Sequence, residues 1–158
     1  MYETLPSFVL GFHGCDKAVA QRVFAGKSAL KASKNDYDWL GHGVYFWENN
    51  PARALAYARE LQRSPGRAQA RITTPAVVGA IIDLGRCLNL LDARSIDIVK
   101  DGYRQLAAAM KTAGGTLPEN KAPSGSTDLL LRNLDCAVVE FVHQIRRKEQ
   151  DEPFETVR

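Results

Sequence analysis

The chain is 158 residues long, with 45% hydrophobic and 25% charged residues and a formal net charge of +3. That length predicts one domain with one core, and that balance excludes a disordered, fibrous or collagen-like chain. No apolar run approaches the ~18 residues of a membrane span, the start MYETLPSFVLGFHG lacks a basic-then-apolar signal pattern, and the scattered Cys15, Cys87 and Cys136 form no disulfide framework; a cytoplasmic protein with no membrane partner is expected.

Taken in order, SFVLGFHGC predicts a short buried strand, Phe8 to Phe12, closed by His13-Gly14. DKAVAQRVFAG carries Ala18, Val19, Val23 and Phe24 at helical spacing, with Asp16 as N-cap and Gly26 as the stop. KASKNDYDWLGHG is polar and turn-rich, and reads as a loop lying over something. GVYFWE is a second short strand. NPARALAYARELQR is a helix capped by Asn50 with Pro51 in its first turn, which puts Tyr57 on that helix. SPGRAQARITTP is a surface connection into AVVGAIIDLG, a strand by its β-branched content.

LNLLDARSIDIVKDGYRQLAAAMKTAGG is largely helical and ends at Gly114-Gly115. TLPENKAPSGST has no apolar period and is a loop. DLLLRNLDCAVVEFVHQIRRKEQ reads as a helix, with Leu130, Leu134, Ala137, Phe141 and Ile145 recurring every three or four positions and basic residues gathered at its end, although CAVVEFV taken alone also fits an extended strand. No strand-like run follows in PFETVR. The basic clusters Arg63, Arg67, Arg71 and Arg146, Arg147, Lys148 read as solvated surface, and the mild net charge selects no partner.

Several signals of chemistry can be weighed residue by residue. AGKS, Ala25 to Ser28, imitates the end of a phosphate-binding loop, but Gln21 stands where its first glycine belongs and a helix precedes it, so it is a decoy. His13 and Cys15, with Asp36 or Asp38, lack the paired short spacings of a zinc site, and no metal is expected. Tyr45, Phe46, Trp47 and Tyr57 taken singly read as core packing at a strand-to-helix turn. His42 shapes its turn or meets a substrate rather than doing chemistry, and His143 is a surface helix residue.

What survives is FHG on one strand and GHGVYFWE…ARALAYA on another strand and its helix. This pairing resembles the ADP-ribosyltransferases, in the branch of the poly(ADP-ribose) polymerases, diphtheria-type toxins and DarT-like bacterial enzymes. Their signature is His-Gly, then G-x-G-[IV]-Y-F, then a helix bearing A-x-x-Y. His13 and Gly14 match the first part; Gly41, Gly43, Val44, Tyr45 and Phe46 match the second; Tyr57 matches the helix tyrosine. Ala54 stands where the polymerases have a serine, and the step from Tyr45 to Tyr57 is one residue longer.

The resemblance implies an α+β domain with a split β-structure and flanking helices, holding NAD as substrate in a cleft that the KASKNDYDWLGHG loop covers. It implies that His13 bonds the adenosine-side ribose, Gly14 holds the nicotinamide carboxamide by its backbone, Gly43 lets the chain approach the ligand, and Tyr45 and Tyr57 sandwich the nicotinamide ring. It also implies a late carboxylate beside the ribose, for which Glu140 is the nearest match by local pattern and Asp135 the alternative. Further β structure is implied after the last helix; either the form is shortened or split, or those strands are lost. The implied activity is transfer of ADP-ribose to a protein or nucleic-acid acceptor by a toxin or defence effector, held in check by an antitoxin partner. The alternatives are a catalytically silent NAD-binding module and an NAD glycohydrolase.

Overall fold

The computed structural model describes residues 8–63 and 71–158. Its elements are β1 (Phe8–Asp16), α1 (Lys17–Phe24), β2 (Trp47–Glu48), α2 (Pro51–Arg63), β3 (Pro75–Asp83), β4 (Cys87–Leu88), α3 (Ala93–Thr112), α4 (Asn133–Lys148) and β5 (Thr156–Val157). The class is mixed α+β. Contacts partition the chain into two units, Met1–Ser33 with Val44–Leu84, and Lys34–Gly43 with Gly85–Arg158. Among the described residues no helix is long and apolar enough to cross a membrane.

In the first unit β1 is the central strand, with β2 and β3 antiparallel on either side. The β1–β3 register is unbroken, from Phe8 opposite Asp83 to Asp16 opposite Pro75. Two hydrogen bonds fix its phase: Lys17 N–H donates to the Thr74 carbonyl at 2.8 Å, and on the other side of β1 Asn49 N–H donates to the Leu10 carbonyl, also at 2.8 Å. In an antiparallel strand the N–H and C=O of one residue point to the same side, and the side alternates along the chain. His13 and Cys15 therefore bond towards β3, whereas Leu10, Phe12 and Gly14 turn their backbone groups towards the β2 side.

Asp16 ends the strand and starts the helix with one carboxylate. It accepts from Ala18 N–H at 2.8 Å, capping α1, and from Thr73 and Thr74 N–H at 2.7 and 2.9 Å, tying down the approach to β3. α1 packs on the face that carries Cys15 and Val78, with Ala20, Val19, Val23 and Ala76 around them. It stops where Gly26 turns to φ 65°, with Gly26 N–H on the Val23 carbonyl and Lys27 N–H on the Arg22 carbonyl. The AGKS segment is thus a helix terminus. α2 starts at Asn50, whose side chain accepts from Arg53 N–H at 2.9 Å, and it lies on the opposite face of the sheet through the fully buried Ala54 and Ala58.

In the second unit α3 packs on α4 at Gly102, where an added Cβ would lie 2.4 Å from Val142 Cγ2. The buried side of α4 is Cys136, Val138, Val139 and Val142. β4 and β5 form a short parallel pair. Arg86 and Arg146 hold the chain between: the Arg146 guanidinium donates to the Glu152 carbonyl at 2.8 and 2.6 Å and lies over the Phe154 ring at 4.4 Å, while Arg86 N–H donates to Glu155 at 2.8 Å.

Three expectations need correction. β1 does not close at Phe12 but runs through His13-Gly14 to Asp16, because Gly14 serves the close approach of α2 onto the strand rather than a turn. GVYFWE yields only Trp47–Glu48 as strand: the Tyr45 carbonyl leaves the ladder and accepts from the His13 side chain. The short strands β4 and β5 were not predicted, and β5 falls inside the PFETVR segment read as having none. The surface connection expected at SPGRAQARITTP lies partly outside the described residues, as does Arg67.

Candidate functional site

His13 and Gly14 are neighbours on β1, so their side-chain directions are opposite. On one face His13 Nδ1 donates to the Tyr45 carbonyl at 2.7 Å, and its ring meets Phe46 at 5.8 Å between centroids. Since a carbonyl can only accept, the proton of a neutral imidazole sits on Nδ1 and Nε2 is left as an acceptor. On the other face a Cβ at Gly14 would stand 2.2 Å from the Ala54 carbonyl oxygen, so only glycine lets α2 lie this close. Ala54, where the resemblance has serine, is fully buried in that contact.

Gly14 also has unmatched backbone groups. Its N–H and C=O turn away from β3, and β2 pairing ends at Phe12 opposite Trp47. Among the described residues neither group has a hydrogen-bond partner. A donor and an acceptor therefore stand side by side at an open strand edge, in a part-buried setting where unpaired backbone groups are uncommon.

Tyr57 rises from α2 on the Gly14 face. It is 39% exposed, and its ring meets Trp47 edge-on at 6.1 Å. Arg53 lies over both rings, at 4.5 Å from Trp47 and 5.9 Å from Tyr57, and pairs with Glu60 at 3.0 Å. His13 and Tyr57 thus leave the sheet on opposite faces, and the ring beside Tyr57 is Trp47.

The remaining predicted residues belong to the second unit. Gly41, at φ 79°, sits where a Cβ would be 2.8 Å from both Glu140 and Val139, so its glycine is required by packing; a Cβ on Gly43 would meet nothing within 4 Å. Glu140 accepts from His42 N–H at 2.7 Å, with His42 Nδ1 3.4 Å from its other oxygen. Asp135 accepts from Asn120 Nδ2 at 2.8 Å and lies 3.4 Å from Arg132. In return Asn120 Oδ1 accepts from Leu134 and Asp135 N–H at 2.9 and 3.4 Å. Asn120 thereby caps α4 from a distant loop, a role Arg132 at the cap position does not fill.

The loop 34–43 is held on α4 by further bonds. Arg132 N–H donates to the Tyr37 carbonyl at 3.4 Å, and Trp39 Nε1 to the Leu130 carbonyl at 3.0 Å. The Cys136 thiol reaches the Asn35 carbonyl at 3.5 Å, and the buried Asp38 accepts from Asn35 N–H at 3.0 Å. Burial, then the charge of Asp38, pushes the Cys136 thiol up to about 11, and burial likewise raises Cys15, so neither is a thiolate at neutral pH. His143 is half-buried against Phe154 rather than a surface residue, and burial lowers its pKa. Among the described residues no three His, Cys, Asp or Glu side chains are placed to share a metal ion.

Sequence reasoning missed Asn120, Arg53 and Trp47 as partners of the residues it named. Asn120 carries no local signal, lying 14 and 15 positions before the amides it caps. Arg53 was legible, being four residues before Tyr57 on one helix face. Comparison of the chain with protein-family models, with curated proteins and with solved structures finds no match.

Proposed function

We propose that the first unit recognises NAD and that the chain acts as an ADP-ribosyltransferase of split-β-structure type, on a protein or nucleic-acid acceptor, in the manner of a toxin or defence effector. The observation that supports this reading most is the pair of unmatched backbone groups on Gly14. A primary carboxamide needs one acceptor for its N–H and one donor for its carbonyl, side by side, and one residue of an open strand edge offers both. Tyr57 supplies an aromatic face on the Gly14 side. His13 Nε2 supplies an acceptor for a sugar hydroxyl on the other. A ligand using all three must run across the edge of β1, which suits a long dinucleotide better than a small ring.

In the reaction the bond from nicotinamide nitrogen to ribose C1′ breaks with both electrons going to nicotinamide. The acceptor nucleophile bonds to C1′ and loses its proton. Holding the leaving carboxamide in fixed dipoles assists that departure, because those dipoles need no reorganisation as charge shifts. One observation favours the second reading, a silent NAD-binding module: Glu140 and Asp135, the carboxylates the sequence offers, already accept hydrogen bonds from His42 and Asn120. A glycohydrolase differs only in taking water as acceptor.

Calorimetric titration with NAD, and assay of nicotinamide release, test the reading. Tyr45→Ala and Tyr57→Ala are each expected to weaken NAD binding about tenfold, a loss of about 1.4 kcal/mol, with an unchanged thermal midpoint. Binding without release supports the silent module; release with label on a macromolecule supports the transferase, and free ADP-ribose alone the glycohydrolase. Unaltered affinity in both folded variants removes the aromatic contribution from the proposal.

A further inference from the structure

β3 has one partner strand. The sheet order β2-β1-β3 leaves its far edge without a partner strand over Val77–Ile81 among the described residues. The register with β1 directs Ala76, Val78, Ala80 and Ile82 inwards to the ladder, so Val77, Gly79 and Ile81 turn their N–H and C=O outwards. None of these outward groups has a hydrogen-bond partner among the described residues. The devices that normally blunt such an edge stand only at its ends: Pro75 and Asp83 bound the strand, and between them it holds no lysine, no charge, no proline and no bulge.

The side chains beside the edge are apolar and uncovered. Ile81 is 74% exposed, Leu10 opposite it 50%, and Phe8 64%. α2 lies on this face at its other end, where Ala54 and Ala58 meet Gly14, the β1 residue opposite Val77. The face is therefore half covered and half bare, and the midpoint between the halves along β3 is Gly79.

We propose that this edge is an interface with a second copy of the chain, joined antiparallel about a two-fold axis at Gly79. A two-fold axis there places Gly79 opposite the partner's Gly79 and Val77 opposite the partner's Ile81. Each copy's three outward N–H and three outward C=O groups are then paired, and the two three-stranded sheets become one. The same axis brings the bare Ile81 end of each copy beside the helix-covered Val77 end of the other, which is how one surface becomes complementary to itself. With no charged side chain between Pro75 and Asp83, no like charges meet across the axis. The glycine at its centre, exposed and overlain only by Phe12 at 3.2 Å from where a Cβ would lie, lets the two backbones approach. The inference is independent of NAD recognition.

Sedimentation equilibrium from about 1 µM to about 300 µM, the span over which a modest interface dissociates, tests it together with amide hydrogen exchange. The expected result is a monomer–dimer equilibrium, with the Gly79 and Ile81 amides slowing at least tenfold between the dilute and concentrated ends. Ile81→Lys is expected to be monomeric at every concentration. Ile81→Pro is expected to behave likewise while keeping wild-type circular dichroism, because the N–H it deletes faces away from β1. A wild-type monomer throughout the range, or a dimer that persists in a folded Ile81→Lys, overturns the proposal. If neither variant folds, the exchange of Gly79 and Ile81 in the wild type decides alone: no concentration dependence overturns it.

Discussion

The two units use their polar groups in opposite ways. In the first, Gly14 N–H and C=O and His13 Nε2 have no partner among the described residues, although β1 is paired on both sides, with β2 and with β3. In the second, the carboxylates of Asp38, Glu140 and Asp135 each accept from an amide that the loop or helix needs bonded. A hydrogen bond already made must be given up before its acceptor can serve a ligand, so groups already engaged in holding a loop make poor ligand contacts. Groups left unmatched by the fold are the ones available to a ligand, and it is on the strand edge at Gly14 that the proposed recognition of NAD rests. The difference can be broken by mutation on either side.

The largest effect is expected at Gly14. Gly14→Ala places a methyl 2.2 Å from the Ala54 carbonyl oxygen, a backbone atom that no rotamer change can move. Destabilisation at or above the upper end of the ~1–3 kcal/mol range for overpacking is expected in urea unfolding. By contrast Gly102→Ala meets side chains rather than backbone, Val142 Cγ2 at 2.4 Å and Val138 Cγ1 at 3.8 Å, and a helix-propensity gain of about 1 kcal/mol offsets part of the cost. Equal losses at the two positions would contradict the direct helix-on-strand contact at Gly14.

Next in size is Glu140. Glu140→Ala leaves His42 N–H to solvent without its acceptor and is expected to destabilise the fold by about 0.5–1.5 kcal/mol, the net worth of one exposed bond. Glu140→Gln keeps an oxygen for that N–H and is expected to recover most of the loss. The pair separates structure from chemistry: if both variants abolish nicotinamide release while Glu140→Gln melts like the wild type, the carboxylate acts chemically and the contrast between the units fails.

Most helix positions could be read from the sequence, because their signals are local. Asp16, Asn50 and Gly26 act as the caps and stop that residue type predicts, and the last helix lies where its periodicity predicts one. That helix nevertheless starts at Asn133, leaves Leu130 outside and buries Cys136, Val138, Val139 and Val142 rather than the expected Leu134, Ala137, Phe141 and Ile145. The strand calculus was weaker. His13-Gly14 looked like the end of β1, since glycine after an apolar run usually means a turn; the actual reason for Gly14, a helix crossing at Ala54, is set by residues 40 positions away. The strand predicted at GVYFWE was shortened for a similarly non-local reason, the capture of the Tyr45 carbonyl by His13. For the candidate site, residue identity was legible and pairing was not. The sequence named Tyr57 but not the Trp47 ring beside it, and named Asp135 and Glu140 without showing that Asn120 and His42 engage them.

A smaller effect is expected from acid. Hydrogen bonds from Thr74, Ala18 and Thr73 N–H favour the ionised form of Asp16 and lower its pKa from 3.8 to about 2. A folded-state value below the unfolded one means that the contribution is fully present above the unfolded pKa and is lost as pH falls through about 2. Asp16→Asn is therefore expected to lose about 1 kcal/mol at neutral pH, as a weakened cap and strap, and to flatten the stability profile between pH 4 and 2, in a region about which the Gly14 site is built. A variant whose acid profile parallels the wild type would assign that acid sensitivity to other carboxylates.

The smallest expected effect is a gain, and it lies in the second unit. α4 ends with Gln150 at φ 61°, with Gln150 N–H on the Arg147 carbonyl and Asp151 N–H on the Arg146 carbonyl. That is the closure made by Gly26 after α1 and by Gly114 after α3, where glycine takes the left-handed conformation without cost. A side chain with Cβ incurs about 1 kcal/mol there, so Gln150→Gly is expected to stabilise the fold by up to that amount, reduced by the extra freedom glycine gives the unfolded chain. The gain should appear as a raised urea midpoint at constant m-value, with NAD affinity unchanged. A loss of stability instead would mean that the Gln150 side chain contributes more than its backbone strain removes.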